Sequence, residues 1–207
     1  MPRRCHVSRL VRIGGAIAIL AAAAAADAQV LTVGDTLGKG KSGVLLSDNV
    51  IYPGDGIPSL NIAYAMFARG LSKRFDLYLS AGATTTEGTR QGWLGGGGNL
   101  HLVTAGKISL SLFNVASVPL NRRTEACDVF LNSALVASVP LGPRAMVYSG
   151  VNSLIPIGHR ARCIFTPPDT KVNVPVGATY SFGPWGLWAE ADIGPLHAVG
   201  VGLTRIF

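Results

Sequence analysis

Charge is scarce in this chain: only 14% of its 207 residues are Asp, Glu, Lys or Arg. Aromatic residues make up 7%, and there are three cysteines. Beyond the first 26 residues no run approaches the ~18 unbroken apolar residues that a membrane helix needs, and no useful length repeats apolar residues at helical spacing. Membrane-spanning helices are therefore excluded from that region. Mean hydropathy is nevertheless +0.37. An apolar chain without apolar runs must distribute its hydrophobic residues in some other pattern.

That pattern is alternation. Phe75, Leu77, Leu79, Ala81 and Ala83 are apolar, while Asp76, Tyr78, Ser80, Gly82 and Thr84 between them are small or polar. A period of two belongs to a strand with two different faces. It returns at intervals up to Phe207, giving ten expected strands near 42–51, 61–71, 75–84, 93–103, 108–118, 134–141, 145–155, 172–182, 186–193 and 197–207. Connections after the second, fourth, sixth and eighth are tight, as in Ser72-Lys73-Arg74 and Gly183-Pro184-Trp185. Those after the first, third, fifth and seventh are longer, about 52–60, 85–92, 119–133 and 156–171. Strands of ~10 residues joined by short turns on one side and long loops on the other suit a closed barrel crossing an outer membrane.

The front of the chain reads as an export signal. Arg3, Arg4, Arg9 and Arg12 precede an apolar run that ends at Ala26-Asp27-Ala28, small residues at the positions a signal peptidase reads. Residues 1–28 are expected to leave as a signal peptide, and 29–207 to form one barrel domain. Without that segment's four arginines and Asp27, fourteen basic and ten acidic residues remain. That balance is too mild and dispersed for a nucleic-acid footprint, but is compatible with lipopolysaccharide.

These features together resemble a small Gram-negative outer-membrane β-barrel protein. The resemblance covers the whole chain after the signal, but is architectural and identifies no subfamily. It implies an all-β, antiparallel up-and-down transmembrane barrel of about ten strands, with eight as the alternative. It also implies an outer-membrane location among lipid and lipopolysaccharide, and delivery by the barrel assembly machinery. In this class the last strand is the assembly signal. Phe207, Leu203, Val201 and Val199 match its alternate apolar positions, whereas Arg205 departs from them.

Turning the apolar phase outward puts Ile62, Tyr64 and Met66 on lipid, with Val174, Val176, Ala178 and Leu187. The inward set is then Arg69, Asp76, Tyr78, Ser80, Asn99, His101, Ser109, Ser111, Tyr148, Asn152, Thr179, Ser181, Glu190, Asp192 and Thr204. Arg69 and Asp76 flank one tight hairpin, so an interior ion pair is expected between them. Asn114 and Ser149 interrupt the lipid face. Phe75, Phe182, Trp185 and Phe207 fall where an interfacial aromatic girdle belongs.

Gly95-Gly96-Gly97-Gly98 lacks the lysine and Ser/Thr of a phosphate loop. Within a strand it signals sharp curvature, a bulge or close backbone approach. Cys127 and Cys163 fall in long loops on the same side, so an exported setting favours a disulfide between them. No cofactor motif is present, and a metal site is not expected, since only His159 lies near a cysteine.

Three functional classes remain. The leading one is an integral barrel with a structural, surface-contact or narrow-channel role. A periplasmic or secreted β-sandwich binding module is the second. The third is a rim hydrolase acting on outer-leaflet lipid or peptide, for which Glu190, Asp192 and His197 are the weak catalytic candidates.

Overall fold

The computed structural model describes residues 36–52, 58–120, 129–157 and 170–207. The expected signal peptide, Cys127 and Cys163 lie outside the described residues. Ten strands follow one another: β1 (Ser42–Tyr52), β2 (Leu60–Gly70), β3 (Phe75–Thr86), β4 (Thr89–Ala105), β5 (Ile108–Pro119), β6 (Val129–Pro140), β7 (Ala145–Ile157), β8 (Lys171–Phe182), β9 (Trp185–Ile193) and β10 (His197–Ile206). Each pairs antiparallel with its sequence neighbours, and β1 pairs with β10 to close the sheet. The single closed sheet of ten strands rules out the two-layer sandwich and the eight-stranded alternative.

The closing seam runs to the last residue. Ser42 and Phe207 exchange N–H···O bonds of 2.9 Å in both directions. Closure leaves no edge strand unpaired, which suits a sheet immersed in hydrocarbon.

Directly opposed residues of an antiparallel pair point to the same side, so register and burial assign the faces. Outward go Leu79, Leu94, Val118, Val176, Leu187 and Val201, all exposed. Such a continuous greasy exterior is foreign to a protein surrounded by water. The girdle residues Phe75, Phe182, Trp185 and Phe207 share the outward face at the short-turn end, where the Arg205 guanidinium lies 5.1 Å from the Trp185 ring centre. Asn114 and Ser149 also face outward, as expected, and Asn114 is opposed by Ser133 on β6.

β2 reverses the expected phase. Met66 opposes buried Leu45 and Tyr64 opposes Ser47, so Ile62, Tyr64 and Met66 point into the barrel. Ala63, Ala65, Phe67 and Arg69 face out. Both phases of β2 carry apolar residues, so alternation alone does not orient it. Bulk decides: the interior needs large side chains to fill it, while lipid accepts alanine. Arg69, at the strand end, reaches the interfacial level as a long cationic side chain can, and donates to Ser42 Oγ at 2.7 Å.

Two more expectations are corrected. Residues 85–92 are not a long loop: β3 and β4 run on to a two-residue turn at Glu87-Gly88, with φ of 39° and 83°, the conformation that tight hairpins favour. The glycine run carries no bulge either. Residues 95–98 pair continuously with both neighbours, and the register shift lies beyond them between His101 and Val103. Close approach explains Gly95, Gly97 and Gly98, whereas Gly96 has room for a side chain. A Cβ on Gly97 would strike the Asn114 carbonyl, and one on Gly98 the Phe75 ring.

The interior has two unlike halves. Toward the short turns, Leu45, Ala68, Tyr78, Ile206, Ser111, Ser138 and Thr204 are essentially inaccessible and pack solid. Residues 36–41, ahead of β1, fold across this end. Gly40 donates to the Gly70 carbonyl and Gly70 to the Lys41 carbonyl, both at 2.9 Å. Leu37 is buried in the same core.

Candidate functional site

Toward the long loops the lumen opens into a cavity of about 240 Å³. Its walls combine Tyr64, Trp93, Phe113, Phe130 and Trp188 with Asn49, Asn132, Asn152, Asn173, Glu190 and Asp192. Alternation accounts for the mixture. Every second residue of each strand faces in, and in this half those positions add aromatic rings and amides to hydroxyls such as Ser80, Thr84 and Ser117. Tyr64 and Trp93 form a tilted ring pair with centroids 5.8 Å apart, and Phe113 contacts Tyr78 at 5.6 Å just below.

One transverse row organises the polar wall. Tyr148 on β7 opposes Gly177 on β8, Gly177 opposes Glu190 on β9, Glu190 opposes Gly200 on β10, and Gly200 opposes Asn49 on β1. Large and absent side chains alternate around the ring. With nothing on Gly177, the Tyr148 ring lies across β8 and its hydroxyl donates to Glu190 Oε2 at 2.6 Å. A Cβ on Gly177 would fall within that ring, and one on Gly202 within the Trp188 indole.

Several acceptors of this wall have no partner. Asp192 Oδ1, Asn132 Oδ1 and Asn152 Oδ1 are buried and make no hydrogen bond. Asn173 is satisfied, its Oδ1 accepting from the Leu196 N–H at 3.1 Å. A buried acceptor left unpaired costs ~1–3 kcal/mol, so this wall can accept further hydrogen bonds.

The cavity floor is the packed half, sealed beneath by residues 36–41. Asp76 Oδ2 accepts the Leu37 N–H at 2.9 Å, and Thr36 donates to the Lys73 carbonyl at 2.8 Å. Lys39, Lys41, Lys73 and His101 surround a depression at this mouth, and His101 Nε2 lies 3.0 Å from Thr104 Oγ1. The two ends of the lumen thus differ in charge: lysines at the short-turn mouth, carboxylates within the long-loop cavity.

No protein-family model matches the chain, and no curated protein matches it. Among solved structures, an outer membrane channel from Pseudomonas putida F1 aligns with a TM-score of 0.51 at 11% identity, covering 86% of this chain and 100% of that one. The chain has the fold of a small outer-membrane β-barrel. Two further solved structures align with lower TM-scores. The N-terminal β-barrel domain of OprF from Pseudomonas aeruginosa gives 0.39 at 12% identity, over 82% of this chain and 99% of that one. The translocator domain of the autotransporter NalP from Neisseria meningitidis gives 0.43 at 11% identity, over 97% and 95%. Likeness at this identity establishes architecture; solute and role must come from the site.

Within this barrel the sequence-predicted residues separate. Glu190 and Asp192 both enter the cavity, but His197 is exposed on the outward phase of β10, opposite Tyr52. The hydrolase constellation is therefore not assembled, because a one-residue offset in a strand selects the other face. Arg69 and Asp76 are parted in the same way. Gly70 opposes Asp76 on the inner face, while Arg69 opposes exposed Leu77 on the outer, so the expected ion pair does not form. Among the described residues no group of three or more His, Cys, Asp or Glu could hold a metal. Sequence reasoning missed the seal formed by residues 36–41. Its signal was small: a lone Leu37 beside Gly38-Lys39-Gly40, whose two glycines have φ of 84° and 87°.

Proposed function

We propose that this protein is a narrow outer-membrane channel, entered from the long-loop side and closed here at the short-turn end. The observation that carries the proposal is the division of one lumen into a ring-lined cavity above and a floor below, with residues 36–41 under that floor. In this reading the long loops face outward from the cell and the short turns face the periplasm, as in barrels of this class. Lipid and lipopolysaccharide cover the outer face, and the strand ending at Phe207 is what the assembly machinery engages. A Cys127–Cys163 disulfide ties the connections after β5 and β7 on the entry side.

Ten strands leave a lumen that side chains nearly fill, so passage requires the floor to yield. Leu37 is the weak point. It belongs to a short segment outside the barrel ladder, held by the Asp76 carboxylate and a few backbone bonds. The test is conductance of the refolded full chain in a planar bilayer, compared with Leu37→Asp. The native protein should give rare, small openings, and the variant frequent ones. If neither conducts, the channel reading fails. The solid packing of the lower half would then favour a non-conducting barrel that holds its ligand in the cavity.

A further inference from the structure

We propose that the long-loop cavity binds a small ammonium ion carried on an apolar body. The proposal names the solute class for the site on which the channel reading rests. The donor and acceptor inventory leads to it. Asp192, Asn132 and Asn152 each present a buried oxygen with no partner, and Glu190 adds a second carboxylate whose Oε2 already holds Tyr148. Every one of these oxygens is an acceptor; the unpaired donor on the same wall, Trp188 Nε1, lies against Gly202. An ammonium group brings donors and no acceptor, so one group can satisfy several of them. An alcohol offers a single donor, and a carboxylate offers none and would face two further carboxyl groups.

The rest of the cavity fits the same ligand. The acceptors sit on β6, β7 and β9. About half a circuit away, Tyr64 and Trp93 form a ring pair on β2 and β4. Aromatic faces attract cations and also accept an apolar body. Among the described residues, no lysine or arginine lines the cavity, so no internal cation competes for the two carboxylates. The volume of about 240 Å³ falls below the ~300–1,000 Å³ of pockets for drug-sized molecules. The body is accordingly one ring or a short alkyl chain.

The experiment is calorimetric titration of the refolded full chain in detergent micelles with phenethylamine, phenethyl alcohol and hydrocinnamate, which share a ring and differ in head group. Phenethylamine should bind about tenfold or more tightly than the alcohol, a difference of ~1.4 kcal/mol, and hydrocinnamate should not saturate. Replacing both carboxylates, Glu190→Gln with Asp192→Asn, should abolish the preference for the amine and leave the alcohol unaffected. Should that pair not fold, judged by loss of the heat-dependent mobility shift, Asn152→Asp supplies the opposite test and should tighten the amine alone. Equal binding of the amine and the alcohol, or an amine affinity indifferent to these changes, overturns the proposal. Amine binding without conductance would sink the channel and leave this site standing; conductance with head-group-blind binding would do the reverse.

Discussion

Tyr148 reaches Glu190 across an intervening strand, over a glycine, to donate a 2.6 Å hydrogen bond inside the barrel. Three strands are thereby tied by one side-chain contact in addition to their ladders. Bonds to charged partners contribute ~1.5–3 kcal/mol. Tyr148→Phe should therefore lower stability by ~2 kcal/mol, because Glu190 loses its donor. Gly177→Ala should cost at least as much, since the new methyl occupies the place of the ring. Urea unfolding of the barrel in phospholipid vesicles measures both, and a neutral Gly177→Ala would show that the ring does not lie where described.

Facial assignment gives a second expectation. Val176 and Leu79 lie near the middle of their strands and face outward. Arginine at either position should destabilise by ~2–4 kcal/mol in vesicles, the cost of a cation near the bilayer midplane.

The reversed strand has its own test. Spin labels at Ala65 should be relaxed strongly by dissolved oxygen, which concentrates in hydrocarbon. Labels at Met66 should be shielded from it, because Met66 packs inside against Leu45. The opposite result would restore the phase that alternation first suggested for β2.

The segment across the short-turn mouth should open locally, below the cost of global unfolding. Leu37→Asp puts a charge where a buried leucine sat. Trypsin should then cut after Lys39 or Lys41 faster than in the native protein, while the heat-dependent mobility shift of the barrel persists. Equal cleavage rates in the two proteins would show that Leu37 does not anchor this segment.

On the entry side, the Cys127–Cys163 pairing predicts that the oxidised, denatured protein, prepared without residues 1–28 and so without Cys5, takes up no maleimide until it is reduced. Labelling without reductant would show two free thiols and remove the bond from the proposed architecture.

Much of this fold is legible in the alternation. β3, β8, β9 and β10 carry unlike faces, as in Val174, Val176, Ala178 and Tyr180 against Asn173, Pro175, Gly177 and Thr179, and their sides follow directly. β2 offers no such contrast, because Ile62, Tyr64 and Met66 differ from Ala63, Ala65 and Phe67 in size more than in polarity. Which set faces inward depends on the space ten strands enclose, a property of the closed sheet and not of the segment. A different limit hid the cavity. Asp76, Tyr78, Glu190 and Asp192 announced an interior with polar members, and the same phase carries Trp93, Phe113 and Trp188 inward, but only the register between strands brings these residues to one level of the lumen. Two candidate pairs failed for one reason: Arg69 with Asp76, and His197 with Asp192, are neighbours along the chain or across a turn but occupy opposite faces.

The contrast between the hollow upper lumen and the filled lower one makes this barrel a cup before it is a pipe. In the proposed channel, a molecule that enters from the long-loop side meets a base, and in the closed state it leaves by the mouth it came through. Net transport then depends on how often the base gives way during one stay, so tighter holding in the cup would raise the yield of each visit while slowing the number of visits.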